Sequence, residues 1–267
     1  ITFNIVQNAH PLRDADITPV VIANPLKEPE NLLRTHVYPG LIDSVQYNVS
    51  QRQLNVDLFE IAHVFHRAGD TCTEQEKVCL VSHRPQEDDL REFKGRMEAL
   101  LNTIARGTVH YEEETHDHFS ARVRVLVDGT AAGFWGALDK TFAQRLDLAS
   151  VFVAEFDIPV LFKLKRRPVY ERINYLPQVD RDVSIAIGKD VRFAQIEDIV
   201  RAQAGGLLKR MSVIDVYKGK NIAPAYMAFT LRISYQHPER TLESDEVDAV
   251  HVRLREKLAA LPGVTLR

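Results

Sequence analysis

The chain has 267 residues, of which 45% are hydrophobic and 27% charged, and its formal net charge at pH 7 is −3. This length allows one large domain or two ordinary domains with apolar cores. No apolar run approaches the roughly eighteen residues of a membrane helix, and no signal-sequence pattern is present, so we expect neither a membrane span nor export. Cys72 and Cys79 match neither a CxxC site nor a disulfide framework, which favours a reducing, cytoplasmic compartment.

The first part of the chain alternates between strand and helix patterns. After extended pieces at residues 1–6 and 20–22, Pro39 suits the first turn of a helix, along which apolar residues recur at helical spacing. The later predicted elements are strands at 56–65 and 78–82, a helix between Asp88 or Asp89 and Gly107, strands at 108–114, 121–129 and 131–138, a short helix at 140–146 and a strand at 151–162. This order indicates antiparallel strands with flanking helices.

A charged segment at residues 163–180, interrupted by Pro168 and Pro177, predicts a domain boundary. We therefore expect domains at residues 1–165 and 170–267. The second contains a strand through Val183, Ile185 and Ile187, a helix from Phe193 to Gly205, strands at 211–217 and 228–235, a helix capped by Thr241 or Ser244, and a last short strand. This βαββαβ order predicts a ferredoxin-like sandwich, whose open sheet face could hold single-stranded RNA.

Candidate RNA contacts lie on or beside this predicted sheet. Unstacked bases rest on aromatic or guanidinium planes, and cations follow the phosphates. The residues of these types are Arg181, Tyr217, Lys218, Lys220, Arg232, Tyr235 and Arg240. A structural role is the alternative, because Tyr217 and Tyr235 could close the core. Arg181 could equally pair with Asp182 or Asp215.

Three other features invite a catalytic or metal interpretation. His110, His116 and His118 lie near several acidic residues, but no helical or paired-strand spacing brings them together, so no metal site is predicted. Trp135 is expected in the core. The acids at residues 112–114 alternate between the faces of a strand, which predicts a solvated edge instead of a general acid and base.

Five blocks stand in a fixed order along the chain: NPLKEPENLLRTHVYPGLIDSVQYNVSQ, VDLFEIAHVFHR, DLREFKGRMEALL, RDVSIAI with DVYKG, and HPERTLESDEV. Together they resemble the C-terminal part of the beta subunit of bacterial-type phenylalanyl-tRNA synthetases. The resemblance implies an α+β fold, with a class II synthetase-like antiparallel sheet and flanking helices. A ferredoxin-fold anticodon-binding domain is implied to follow it.

The resemblance also implies partners and a reaction. The intact enzyme attaches phenylalanine to its tRNA using ATP and magnesium. The alpha subunit is implied to hold ATP and phenylalanine, and no cofactor is expected in this chain. The implied partners are that alpha subunit, in a cytoplasmic heterotetramer, and the tRNA anticodon stem-loop, but neither DNA nor a membrane. The residues expected to meet the alpha subunit are Leu33, Arg34, Pro39, Leu41, Ile42 and Val45.

Catalysis by this chain itself is not expected. A class II active site needs an arginine on a strand for the α-phosphate and another at the start of a helix after a glycine-rich strand. After Gly129, Gly133 and Gly136 the next arginine is Arg145, inside a predicted helix. GxxxxGK[ST], GxSxG and HExxH motifs are also missing from the sequence. No catalytic residue is therefore predicted.

Two alternatives stay open. One is a self-contained monomeric synthetase similar to the organellar phenylalanyl enzymes, which also end in a ferredoxin-like domain but require the arginines described above. The other is a module whose ferredoxin-like sheet binds protein instead of RNA. The second is favoured by the loss, near Ala225, of a lysine that the family commonly carries.

Overall fold

The computed structural model describes residues 5–7, 10–14, 17–26, 30–69, 71–85, 90–105, 107–165, 170, 173–217 and 226–267. Several predicted features lie outside the described residues: the caps Asp88 and Asp89, the boundary residue Pro168, and Lys218, Lys220 and Ala225. The chain forms two compact units, Ile1–Pro168 and Val169–Arg267. Within the described ranges, no helix has the length and apolar character to cross a membrane.

The first unit is an antiparallel sheet with helices on both faces. Its elements are β1 (Ile5–Gln7), β2 (Glu30–Leu33), α1 (Tyr38–Ser50), β3 (Val56–Ala68), β4 (Thr71–Arg84), α2 (Leu90–Ile104), β5 (Val109–Glu114), β6 (Phe119–Val127), β7 (Thr130–Leu138), α3 (Lys140–Arg145), β8 (Ser150–Asp157) and α4 (Ile158–Lys163). The six-stranded sheet has the order β3-β4-β8-β7-β6-β5, and β1 pairs separately with β2. Every pairing in both sheets is antiparallel, as predicted.

Each face of the six-stranded sheet carries its own apolar cluster. On one face α1 buries Leu41, Ile42 and Val45 against the sheet. The other cluster contains Phe93 and Met97 of α2. Because each fully buried aliphatic or aromatic side chain contributes about 1.5–3 kcal/mol, both helices are held mainly by their apolar faces. The helical periodicity read from the sequence is confirmed for both.

The predicted strand at residues 151–162 is wrong in its second half. The strand β8 ends at Asp157, and the following residues form α4. Pro159 lies in the first turn of that helix. Proline has no N–H to donate to a strand ladder, whereas a first helical turn leaves that position unpaired. The apolar run IPVLF therefore continues as a helix.

The β3–β4 hairpin is longer than predicted. Its ladder runs from the Val56–His83 pair to the Ala68–Thr71 pair. Residues 71–77 are mostly polar and exposed, so they lack the alternation of apolar and polar residues that identifies a half-buried strand. The backbone ladder holds this part of the hairpin without a buried face. β2 was likewise not predicted as a strand.

The second unit is a ferredoxin-like sandwich, as predicted. Its elements are β9 (Val179–Gly188), α5 (Phe193–Ala204), β10 (Leu208–Tyr217), β11 (Tyr226–Tyr235), α6 (Ser244–Ala259) and β12 (Val264–Leu266). The antiparallel sheet has the order β10-β11-β9-β12. Residues of both helices share one apolar cluster with alternate strand residues, so the helices cover a single face. Gly205, whose φ of 53° suits glycine, ends α5.

A buried charged cluster connects three segments of the first unit. The Nδ1 of His36 lies 2.8 Å from Oε1 of Glu155, whose Oε2 accepts hydrogen bonds from the amides of Val37 (2.8 Å) and Tyr38 (3.3 Å). Asp14 lies on the other side, with Oδ2 3.7 Å from Nε2 of His36, close enough for an ion pair but too long for a hydrogen bond. Burial alone would lower the pKa of His36, but the two carboxylates raise it to about 9.

This cluster predicts that the free energy of unfolding of the first unit falls as the pH rises. The folded pKa of His36, about 9, exceeds the ordinary value of 6.5, so its stabilisation is complete below pH 6.5 and is lost between pH 6.5 and 9. The loss is on the order of 3 kcal/mol. Urea titrations at pH 6, 7.5 and 9 would measure it through the fluorescence of Trp135, the only tryptophan in the sequence.

Two variants test the assignment to His36. His36→Gln should lower stability at pH 6 and remove this part of the pH dependence. His110→Gln changes an exposed imidazole on β5 and should keep the pH dependence. If His36→Gln retained the full decline above pH 6.5, the buried cluster would not be its source.

Candidate nucleic-acid interface

The open face of the second sheet is defined by strand register. Val183 and Ile185 of β9 are buried in the apolar cluster, so their neighbours in β9 point to the opposite, uncovered face. Residues that face each other across a ladder share a side of the sheet. The open face therefore includes Asp182 and Ser184 of β9, Ala228, Thr230 and Arg232 of β11, and Arg210, Ser212, Asp215 and Tyr217 of β10.

A shallow basin lies on this face. It has a volume of about 420 Å³ and is lined by Ser184, Asp215, Tyr217, Ala228, Phe229, Thr230 and Arg267. The floor is made of small side chains, and the hydroxyls of Ser184 and Thr230 are 3.0 Å apart. Tyr217 is 43% exposed. A flat floor bordered by an aromatic ring, a carboxylate and a guanidinium suits a planar, polar ligand.

A strand irregularity decides which residues border the basin. The register of β10 shifts between Val213 and Asp215, after which Asp215 faces Thr230 and Tyr217 faces Ala228. Such an extra residue moves the following side chains to the other face. Sequence reasoning selected Tyr217 but missed Asp215 as a site residue, because simple alternation does not reveal the position of the shift.

Two of the predicted arginines are engaged by carboxylates at the surface. Arg232 lies on the open face and donates through Nε and Nη2 to the two oxygens of Asp182, both at 2.8 Å. These hydrogen bonds lower the pKa of Asp182. Arg240 makes the same kind of paired contact with Glu246, at 2.8 and 2.7 Å. Fork-to-fork contacts of this kind occupy the donors that a phosphate would use.

Arg181 lies on the helix-covered side of the sheet. Its Nε donates to Oδ1 of Asp248 at 2.7 Å, and its Nη2 donates to the hydroxyl of Ser244 at 2.9 Å. The predicted pairing with Asp182 or Asp215 is thus replaced by a contact with α6. The predicted cap of α6 is also corrected: Glu243 holds the cap position without a side-chain hydrogen bond, and Ser244 is the first residue of the helix.

Tyr235 lies in the core of the second unit. Its side chain is fully buried, and its hydroxyl is 3.2 Å from Nδ1 of His251. Burial raises the pKa of Tyr235 to about 12 and lowers that of His251. Of the predicted RNA contacts within the described residues, Tyr217 is the one that borders the basin.

The residues predicted to meet an alpha subunit lie mostly inside the first unit. Leu41, Ile42 and Val45 are buried, because the apolar face of α1 packs on its own sheet. Arg34 is buried too and donates from Nε to the carbonyl of His63 at 2.8 Å. Leu33 and Pro39 are partly exposed. Large exposed apolar side chains stand instead at the edge strand β3 and just before it: Phe59 (72%), Ile61 (57%) and Leu54 (53%).

The arginines on β6 of the first unit pair with acidic residues of β5, chiefly with Glu114. Glu114 lies 3.0 Å from Nε of Arg122 and 2.9 Å from Nε of Arg124. The Arg122 guanidinium also stacks 3.9 Å from the centre of the Phe134 ring. The predicted solvated acidic edge is therefore partly an ion-paired one.

The tryptophan and the histidines that the sequence analysis considered as candidate site residues contact other side chains of the first unit. Trp135 is buried and meets Tyr111 edge to face with ring centres 6.0 Å apart, in the core as predicted. His116 lies 3.4 Å from Asp14, and its ring is 5.0 Å from that of His118. Over the ranges that the structure covers, no group of three His, Cys, Asp or Glu side chains is placed to hold a metal ion.

The fold defines a class II synthetase-like body followed by a ferredoxin-like module. A pyrrolysyl-tRNA synthetase from Desulfitobacterium hafniense shares the fold, with a TM-score of 0.51 and 11% identity over 61% of this chain and 59% of that one. Residues 2–158 match the model of the phenylalanyl tRNA synthetase beta chain CLM domain, and residues 175–267 match the ferredoxin-fold anticodon binding domain. The chain belongs to the phenylalanyl-tRNA synthetase beta chain family.

Similar curated proteins are phenylalanine–tRNA ligase beta subunits. Those of Halalkalibacterium halodurans and Pseudomonas syringae are each 29% identical over 94% of this chain and 33% of their own length. That of Bacillus subtilis is 29% identical over 92% of this chain and 33% of its own length. The chain thus spans about a third of the length of these relatives.

The buried hydroxyl of Tyr235 provides a stability test. Tyr235→Phe leaves Nδ1 of the buried His251 without its partner, and should lower the local free energy of opening by about 1 kcal/mol. Hydrogen exchange of amides in β11, followed by mass spectrometry, would measure this change. Tyr217→Phe, at an exposed position, should stay within about 0.5 kcal/mol of the wild type. Equal effects of the two changes would contradict the core role of Tyr235.

Proposed function

We propose that this chain is the tRNA-recognition and subunit-assembly part of a phenylalanine–tRNA ligase, which joins phenylalanine to its tRNA using ATP. Residues 170–267 form the tRNA-binding module and residues 1–165 the assembly module. The observation that carries the proposal is the open basin on the ferredoxin-like sheet of a chain from this family. The cytoplasm is the proposed compartment, in keeping with the free thiols of Cys72 and Cys79.

The basin would hold an unpaired base of the anticodon loop. The base lies on the small side chains of the floor, and its π-face stacks on the ring of Tyr217. Asp215 is exposed and accepts hydrogen bonds from N–H groups on the Watson–Crick edge of the base. Arg267 at the border offers donors to an acceptor edge or a phosphate. Lys218 and Lys220 follow Tyr217 in the sequence and stay predicted phosphate contacts.

Tyr217→Ala should weaken binding of the anticodon stem-loop at least tenfold, because stacking of one base on an aromatic ring contributes about 1–3 kcal/mol. Tyr217→Phe keeps the ring and should bind nearly as well as the wild type. Fluorescence anisotropy with a labelled phenylalanine anticodon stem-loop would measure both affinities.

Tyr47→Ala is the matched control for that test, since Tyr47 is an exposed tyrosine of α1 in the other unit. It should leave the affinity unchanged. A stem-loop with the same stem and a scrambled loop should bind more weakly to the wild type. Absence of saturable binding by the wild type would reject the tRNA-recognition proposal and favour a protein-binding module.

Adenylation would occur outside this chain. Both arginines of β6, Arg122 and Arg124, pair with Glu114, which argues against a phosphate clamp on that strand. In this proposal the alpha subunit holds ATP, and magnesium belongs to the intact enzyme. The role of the class II-like body is to bind that subunit.

The assembly surface is proposed at the β3 edge of the first unit. β3 is an end strand of its sheet; the backbone of Arg34 and Thr18 meets its outer edge at Phe65 and Arg67, beyond the stretch that carries Phe59 and Ile61. Phe59 and Ile61 stand on the same face of that strand, and exposed large apolar side chains grouped at an edge are typical of contact surfaces. Leu41, Ile42 and Val45 pack on the opposite face of the sheet and do not belong to this surface, whereas Leu33, Arg34 and Pro39 stay predicted contacts.

Phe59→Ser combined with Ile61→Ser should reduce binding of the alpha subunit at least tenfold, since truncated anchors of an interface commonly cost more than about 2 kcal/mol. Co-expression with the alpha subunit, followed by affinity purification, would measure the loss. Val252→Ser removes a similarly exposed apolar side chain on α6 and should leave binding intact. Unchanged binding of the double variant, with Trp135 fluorescence confirming a folded first unit, would reject the β3 edge as the assembly surface.

A further inference from the structure

Several arginines of the second unit are neutralised by neighbouring carboxylates. The positions of arginines in the sequence therefore do not show where unpaired positive charge lies. Arg181, Arg232 and Arg240 each make an ion pair with a carboxylate at 2.7–2.8 Å. Their net contribution to the electrostatic potential is small, because each cation has an anion beside it. The cations available to a phosphate chain must lie elsewhere.

Arg201, Lys209 and Arg210 form a group of exposed cations at the edge of the sandwich. Within the described residues, none of the three has a carboxylate at ion-pair distance. They line a groove of about 140 Å³ between α5 and β10, together with Glu197, Val200, Leu208 and Met211. The groove contains a single carboxylate, that of Glu197, so its lining has an excess of positive charge.

The strand geometry links this groove to the basin. The register of β10 shifts between Leu208 and Arg210, which leaves Lys209 as an extra residue at the edge of the sheet. Arg210 faces Ser234 across the ladder and so shares the open face with Tyr217. Arg210 and Tyr217 are seven residues apart on one strand, a distance of about 23 Å. The groove and the basin thus lie at the two ends of β10.

We propose that the groove lined by Arg201, Lys209 and Arg210 binds the phosphate backbone of the same RNA whose unpaired base occupies the basin. The inference rests on the proposed function, and it assigns the phosphate contacts to the α5–β10 edge instead of to the paired arginines. RNA laid along β10 would place its backbone at one end of the strand and a splayed base at the other. Cations that follow the phosphates and an aromatic ring that receives a base are the recurring parts of single-strand binding.

An extended acidic peptide is the competing occupant, because β10 is an end strand of its sheet. Peptide addition needs a regular row of free backbone groups along the edge. The two register shifts in β10 interrupt that row, and the lysine at the first shift also discourages strand pairing. The edge is therefore better suited to phosphates, which require only charge and hydrogen-bond donors.

The test compares two charge-matched triple variants of the 267-residue chain. The first is Arg201→Gln with Lys209→Gln and Arg210→Gln, which neutralises the groove. The second is Arg253→Gln with Arg255→Gln and Lys257→Gln, which neutralises three exposed cations of α6. Affinity for the anticodon stem-loop is measured by anisotropy at several salt concentrations. Circular dichroism establishes that both variants are folded.

The groove variant should bind at least tenfold more weakly than the wild type at about 0.1 M salt. The slope of log K against log salt should decrease in magnitude by about 2, since each released phosphate contact to a single strand contributes about 0.7. The α6 variant should show a much smaller loss in both quantities. A Tyr217→Ala change should weaken binding without changing the slope, because it removes stacking and no charge.

The outcomes separate this inference from the proposed function. If the wild type binds the stem-loop and the two triple variants lose equal affinity and slope, the groove assignment fails while tRNA recognition stands. If the wild type shows no saturable binding, both fail. If the groove variant loses binding of a poly-glutamate peptide but keeps its RNA affinity and slope, the groove is a protein-binding site and the RNA assignment is overturned.

Discussion

The sheet of the second unit has both helices on one face, and the proposed RNA-binding surface follows from that constraint. The alternation of strand side chains places Val183, Ile185 and their neighbours under the helices, so the other set of side chains faces outward without cover. An uncovered sheet face must be polar enough to contact water. To hold a planar ligand, it must also be flat. The small hydroxyl and methyl side chains of Ser184, Ala228 and Thr230, bordered by Tyr217, meet both conditions.

Ion pairing divides the basic residues of this unit into structural and available groups. Arg181 fastens the start of α6 to β9 through Asp248 and Ser244, and Arg232 joins two strands through Asp182. Each contact uses donors that a nucleic acid would otherwise engage. The same physical chemistry makes guanidinium groups good phosphate ligands and good carboxylate partners, so residue type alone does not separate the two roles.

In the first unit, acidic side chains likewise pair with arginines and with a histidine of the class II synthetase-like body. Glu114 holds Arg122 and Arg124, and Glu155 anchors His36 and the amides at the start of α1. Removing one partner from the buried His36–Glu155 pair is costly, on the order of 3–5 kcal/mol. These interactions stabilise the body from within, and Phe59 and Ile61 stay exposed at its edge, where we propose the contact with a partner.

Apart from β2 and α4, the sequence alone determined the element order, the antiparallel class of the first sheet, the βαββαβ order of the second unit and the inward faces of α1 and α2. These features depend on local periodicity and on proline and glycine positions, which are visible in a linear chain. The tertiary structure decided which arginines are paired, that Tyr235 is internal and that Asp215 shares a face with Tyr217. Such features depend on a strand shift and on contacts between residues as far apart as Arg181 and Asp248, and no local pattern encodes them.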